Sequence, residues 1–185
     1  FLNLSLTDAC WNEALAEALR TPRWGSATPG SRPKVMVEYS SPNTNKPLHL
    51  GHLRNIFLGY SVSRILEAAG HDVVKVQIIN DRGIHICKSM VAWKAFGQGE
   101  TPTSTGEKGD KLVGRYYVAF DKALKADIAE GVARGFDAKE AEAASPIMQE
   151  AREMLKKWEN GDEEVVALWK TMNGWVYDGF DQTYK

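Results

Sequence analysis

Cysteine is scarce in this sequence: Cys10 and Cys87 are the only two in 185 residues, and no CxxC spacing links them. That excludes a disulfide scaffold and the close ligand pairs of ordinary structural zinc sites. It fits a reducing, cytoplasmic setting with both thiols free. An excess of charge of either sign is missing too. Lys plus Arg number 23 and Asp plus Glu 24, a formal net charge of -1, so the chain as a whole carries no electrostatic footprint for nucleic acid. A polynucleotide partner must therefore dock on a local patch or outside this chain. No apolar run approaches the roughly 20 residues of a membrane span. No basic-then-apolar signal peptide opens the sequence, and no internal repeat is visible. What remains is the composition of a globular protein, 43% hydrophobic and 25% charged, long enough for a sizeable core.

Periodicity and breakers organise the chain. Trp11, Leu15, Ala18 and Leu19 fall at helical spacing after Asp8 and predict a helix over 8–20. Residues 21–33 hold Pro22, Gly25, Pro29, Gly30 and Pro33 and read as linker. The apolar, β-branched run over 35–39 predicts a strand. A helix over 48–69 follows, with Leu58, Val62, Ile65 and Ala69 on one face and Gly70 as its stop. A second strand is predicted over 73–79. Strand, crossover helix and strand form one βαβ unit, which requires parallel strands. Ligands of such sheets bind at the carboxyl ends of the strands, so residues 38–43 and 80–83 are expected to border one crevice. Beyond a helix over 84–96, residues 97–109 read as a mobile loop rich in Gly, Thr, Ser and Pro. The remainder is helical. Leu112, Val113, Tyr116, Tyr117, Phe120 and Leu124 make one stripe, Ser145-Pro146 starts a helix, and Asn160-Gly161-Asp162 predicts an antiparallel helical hairpin. Two strands are too few for a doubly wound nucleotide site. With Phe1 at one end and a helical pattern running into Lys185 at the other, the chain reads as a piece of a larger polypeptide.

The chemistry concentrates in His49-Leu50-Gly51-His52, where the first strand hands over to the long helix. Backbone N–H groups in the first helical turn lack internal partners and attract phosphate. Histidines at i and i+3 share a face and can donate to phosphoryl oxygens, and Gly51 allows close approach. The plainer reading is a pair of surface or capping histidines; the preceding strand, Pro47 and the following helix favour nucleotide chemistry. Ser40-Ser41-Pro42-Asn43 is by default a turn, yet a strand-end Asn and Ser backbone also suit an α-amino and carboxylate group. Glu38, near the end of an apolar strand, calls for a cationic partner. Asn80-Asp81-Arg82-Gly83 is a strand-ending turn that could place an acceptor near a ribose or amine. Lys46 either solvates a loop or neighbours a phosphate. A zinc site from His49, His52, His85 and Cys87 lacks the usual spacing. The C-terminal Trp and Tyr residues read as core.

Glu38-Tyr39-Ser40-Ser41-Pro42-Asn43, Lys46-Pro47-Leu48-His49-Leu50-Gly51-His52-Leu53-Arg54 and Asn80-Asp81-Arg82-Gly83-Ile84-His85 together resemble arginyl-tRNA synthetase, a class I aminoacyl-tRNA synthetase. Gly109-Asp110-Lys111-Leu112-Val113-Gly114-Arg115-Tyr116-Tyr117-Val118 resembles the insertion that follows the first half of its catalytic domain. The resemblance implies an α/β fold: a Rossmann-like (HUP-type) parallel-sheet half-domain with a helical insertion and hairpin. Residues 1–33 would be the tail of an N-terminal domain and a linker, 34–97 the first half of the catalytic domain, and 98–185 a flexible loop and helical insertion. It also implies ATP-dependent activation of L-arginine to arginyl-adenylate and transfer to tRNA(Arg). His49 and His52 would be catalytic, His49, Gly51 and His52 would bind ATP, and Glu38, Ser41, Pro42, Asn43 and His52 would bind arginine. ATP would arrive with Mg2+ as substrate complex, with no protein-bound metal, and tRNA(Arg) would dock mainly through regions outside this chain. The family's Lys-x-Ser-Lys loop does not occur here, nor does its anticodon-binding domain, so this chain by itself is not expected to aminoacylate. Two other readings are a free-standing small-molecule nucleotidylyltransferase and a non-catalytic helical module that binds a partner. The early turn to all-helical sequence argues against the first, and exposed apolar patches on the helices would favour the second.

Overall fold

The computed structural model describes residues 1–185. The chain divides into two compact units, Phe1–Tyr39 with Ile56–Val76, and Ser40–Asn55 with Gln77–Lys185.

In the first unit, α1 (Asp8–Arg20) has the predicted bounds. Its N-cap is Thr7 rather than Asp8: the Thr7 hydroxyl accepts from the Cys10 N–H at 3.4 Å, and Asp8 instead sets a negative charge in the first turn. Strands β1 (Arg32–Glu38) and β2 (His71–Val76) pair in parallel, with Val35 opposite Val73 and Glu38 opposite Val76. The register slips between Arg32 and Val35, where Pro33 has no N–H to give the ladder. Helix α2 (Leu50–Ala68) connects the strands, and Gly70, at φ 95°, turns the chain into β2. Gly59 of α2 is required by Tyr39: a Cβ there would come within 2.7 Å of the ring's Cδ1. The helical periodicity over Leu58, Val62 and Ile65 is present, but these residues stay exposed, and the one buried residue of α2 is Ser63.

The second unit holds the apolar core. Helices α3 (Ile84–Phe96), α5 (Gly109–Ala133), α7 (Pro146–Glu159) and α8 (Glu163–Tyr184) bury Met90, Leu112, Val113, Phe120, Met172 and Val176 almost completely. Of the α5 stripe read from periodicity, Leu112, Val113, Tyr116, Phe120 and Leu124 are buried, and Tyr117 is half-buried. Between α3 and α5 the segment expected to be loop carries a short helix, α4 (Pro102–Thr105), started by a reciprocal Thr101–Ser104 capping box. Glu100 just before it accepts from Arg115 at 2.7 Å and from the Tyr116 hydroxyl at 2.5 Å, and its carbonyl takes the Trp93 indole N–H at 2.8 Å. A further helix, α6 (Ala138–Ala144), leads to Ser145, whose hydroxyl caps α7 and donates to Asp127 at 2.6 Å. Asp162 caps α8, and Trp158 meets Trp169 edge-on at 5.3 Å across the short link between α7 and α8. No helix is long and apolar enough to cross a membrane.

Candidate active site

The two histidines of the tetrad cap their own helix. His49 precedes α2, and its carbonyl accepts from the N–H groups of His52 at 2.8 Å and Leu53 at 3.2 Å. Its ring Nδ1 accepts from the Gly51 N–H at 3.1 Å, while the His52 Nδ1 reaches back to accept from the His49 N–H at 3.2 Å. This is the logic of a capping box, built from two imidazoles. The rings lie 4.1 Å apart between centroids, tilted by 53°. Because both Nδ1 atoms accept backbone protons, each neutral ring must carry its own proton on Nε2. The result is a pair of imidazole N–H donors on one short stretch of chain. The Gly51 N–H is thereby occupied by an imidazole of the same turn. Gly51 itself is explained by space, since a Cβ would meet the His49 ring at 2.9 Å.

A cationic and aromatic group of the same unit includes Lys46, whose charge acts on His52. The Lys46 ammonium lies 5.7 Å from the Tyr117 ring centroid, and the Tyr117 hydroxyl shares a 3.1 Å hydrogen bond with the His85 Nδ1. Pro47 is seated on α5 at Gly114, where any side chain would strike the proline ring at 2.7 Å. Partial burial, then His49, then the Lys46 ammonium lower the His52 pKa below its ordinary 6.5. Burial, then Lys88 and Lys46, lower that of His85. Both rings are therefore neutral at pH 7. A histidine depressed in this way favours folding above its ordinary pKa, and that contribution is lost as the pH falls through the lowered value. Proton NMR is expected to give midpoints below 6.5 for the His52 and His85 rings, both rising when pyrophosphate is added. A midpoint at or above 6.5 for His52 would contradict this electrostatic picture.

The remaining sequence-derived candidates are distributed unevenly. Ser40 and Ser41 have φ of 73° and 38°, left-handed backbone that costs a β-carbon residue of order 1–3 kcal/mol. The strain is held in place by the Asn55 side chain, which accepts from the Ser40 N–H at 2.6 Å, and by the Tyr184 hydroxyl, 2.7 Å from the Ser40 hydroxyl. Ser41 Oγ accepts from the Ile78 N–H at 3.2 Å. Pro42 is buried, and its carbonyl takes the Asn80 N–H at 3.1 Å. Asn43 forms a parallel bridge with Asn80 and remains exposed. The strand-end segments 41–44 and 78–80 are thus side by side, joined by direct hydrogen bonds. Of the three, Asn43 offers the most open side chain, and Pro42 contributes shape. Glu38 belongs to the other unit, exposed at the last position of β1 opposite Val76.

Sequence reasoning gave no site role to Tyr117 or Asn55, weighed His85 only as a zinc ligand, and gave Asp81 no more than a place in a strand-ending turn. The positions of Tyr117, Asn55 and His85 follow from tertiary packing, which no local pattern announces. Cys87 is buried, which pushes its thiol up to about 11 and makes it inert at neutral pH. No three His, Cys, Asp or Glu side chains gather as a metal would require.

Against known proteins, the profile of the family described as tRNA synthetases class I (R), catalytic domain, matches residues 14–185. The arginine–tRNA ligase of Bacteroides thetaiotaomicron is 62% identical over 187 aligned residues, which take in 100% of this chain and 31% of that protein. The arginine–tRNA ligase of Amoebophilus asiaticus is 58% identical over 185 residues, again 100% of this chain and 31% of the relative. Among solved structures, Thermus thermophilus arginyl-tRNA synthetase superposes with a TM-score of 0.58 at 32% identity, covering 90% of this chain and 24% of that one. The chain spans about a third of the length of the curated relatives it matches.

Proposed function

The chain belongs to the family of class I (R) tRNA synthetase catalytic domains, and from that membership we propose that it supplies the ATP-handling part of an arginine–tRNA ligase. In the first step a carboxylate oxygen of L-arginine attacks the α-phosphorus of ATP, which enters with Mg2+ as its substrate complex. The bond to the bridging oxygen breaks, pyrophosphate leaves, and arginyl-adenylate remains. In the second step the terminal ribose hydroxyl of tRNA(Arg) attacks the activated carbonyl and AMP leaves. The chemistry is mainly positioning and charge stabilisation. His49 and His52 donate their Nε2 protons to phosphoryl oxygens as negative charge develops there. A donor of this kind contributes about 3 kcal/mol in the transition state. Lys46 adds positive charge at the phosphate end, and Gly51 leaves room for adenine and ribose. Ser41, Pro42, Asn43 and His52 hold the main chain of the amino acid, and Glu38 supplies negative charge for its guanidinium. In domain terms, residues 34–97 serve as the first half of the catalytic domain, preceded by a linker, with 98–185 as its helical insertion.

One observation carries the reading: the reciprocal imidazole caps leave each ring an Nε2 proton to donate, with ring centroids 4.1 Å apart and the Lys46 ammonium acting on His52. The test is exchange of labelled pyrophosphate into ATP by the full-length protein in the presence of tRNA(Arg). Exchange is expected with arginine and with no other amino acid. Exchange driven by a different acid, or by none, would reject the assignment.

A further inference from the structure

Helix α8 contains Trp169, Asn173 and Tyr177, four residues apart and so on one helical face. All three side chains converge on a single residue of the strand-ending turn, Asp81. The Trp169 indole N–H donates to the Asp81 carbonyl at 2.6 Å, and the Asn173 amide reaches the same oxygen at 3.5 Å. The Tyr177 hydroxyl donates to the Asp81 carboxylate at 2.6 Å. The neighbouring Arg82 is drawn to α7, with its guanidinium 5.1 Å over the Trp158 ring and 3.9 Å from Glu159. The turn is thus fixed from the helical side at two successive residues.

What it holds on its other side is the loop of candidate residues. Asn80 donates to the Pro42 carbonyl at 3.1 Å and accepts from the Thr44 N–H at 3.2 Å. One continuous set of bonds therefore runs from α8 through Asp81 and Asn80 to residues 42–44. Because the backbone at Ser40 and Ser41 is left-handed and strained, its geometry depends on such outside restraint.

We propose that Trp169, Asn173 and Tyr177 are positioning residues, which hold Asp81 and through Asn80 set the amino-acid-binding geometry of residues 41–43. The inference rests on the proposed arginine site for its kinetic meaning, but the mechanical link stands on the hydrogen bonds alone. Tyr177 is the strongest member. Burial and the Asp81 carboxylate push its phenol well above the ordinary range, so it remains a donor at every pH the protein meets. A neutral donor on a carboxylate is a charge-assisted bond, stronger than a neutral pair.

The test compares Tyr177→Phe and Asp81→Asn with the unaltered full-length protein in arginine-dependent pyrophosphate exchange. Tyr177→Phe is expected to raise the KM for arginine about tenfold or more. The KM for ATP should stay within about twofold, because the imidazole pair is not part of the chain of bonds. Asp81→Asn keeps an acceptor for the Tyr177 hydroxyl and should recover most of the arginine affinity. An unchanged arginine KM in Tyr177→Phe, or an equal loss of affinity for both substrates, overturns the proposal. Amide hydrogen exchange supplies a readout that needs no activity. Asn80 and Thr44 should lose protection by about tenfold in Tyr177→Phe while amides of α5 hold theirs. Unchanged protection overturns the mechanical link. Absence of arginine-dependent exchange in the unaltered protein rejects the ligase reading and leaves the amide result to decide the link by itself.

Discussion

His52→Ala in the full-length protein is expected to lower arginine-dependent pyrophosphate exchange by about 10²- to 10³-fold, the usual loss when one preorganised donor to a developing oxyanion is deleted, with melting shifted by no more than about 2 °C. The asymmetry follows from where the ring sits. His52 is only partly buried, and its structural bond is to the His49 N–H at a solvent-facing helix start, where water can replace it. Removing the ring therefore costs little folding energy. It does remove one of the two Nε2 donors outright, and it frees the His49 backbone that fixes the other. His52→Gln keeps an amide donor of similar reach and is expected to lose less. A large fall in melting temperature together with a small fall in rate would mean that the ring serves only to cap the helix.

Gly109→Ala is expected to destabilise the protein by about 3 kcal/mol or more, lowering the melting temperature by about 10 °C. Gly109 opens α5 directly against the backbone of α8: a Cβ would overlap the Trp175 carbonyl oxygen and lie 2.9 Å from the Trp175 Cβ. Backbone cannot rotate aside as a flexible side chain can, so the two helices must part. Gly179 of α8 makes the reciprocal approach, where a Cβ would meet the Asp110 N at 2.9 Å and its Oδ1 at 2.6 Å. Separating these helices loosens the packing of Leu112, Val113, Met172, Val176 and Phe180, all buried. Because α8 also carries the face that holds Asp81, the variant should lose arginine affinity as well as stability. Gly174→Ala, on the same helix but with nothing within 4 Å of the added carbon, is the control. It should stabilise by about 0.5–1 kcal/mol through helix propensity. If Gly109→Ala melts like the unaltered protein, α5 and α8 do not meet as described.

How far the sequence disclosed this arrangement varies by physical origin. Local signals did well: periodicity and breakers placed α1 and α3 at their observed bounds, and Ser145-Pro146 and Asp162 act as the caps they resemble. The second strand ends at Val76 rather than 79, because the next residues leave the ladder and the Ile78 N–H goes to the Ser41 hydroxyl. Spacing brought His49 and His52 onto one turn, but not the exchange of Nδ1 acceptors that fixes their tautomers. The apolar face of Leu58, Val62 and Ile65 was legible, whereas its exposure depends on what packs there and not on period. Asp81 was undervalued for a related reason: its partners lie 88 to 96 residues downstream, beyond any local pattern. The family motif drew attention to residues 38–52, and tertiary hydrogen bonds explain why residues 40–44 stay where they are.

The proposed chemistry requires His49 and His52 to meet the phosphates of ATP. The most direct measurement is a titration of the full-length protein with Mg·ATP, following the ring protons of its histidines by NMR. Within this chain these are His49, His52, His71 and His85. The His49 and His52 signals should move together along one saturation curve, while His71, bonded to the Pro33 carbonyl at the start of β2, stays still. Saturable ATP binding that leaves the rings of His49 and His52 unmoved would contradict the account.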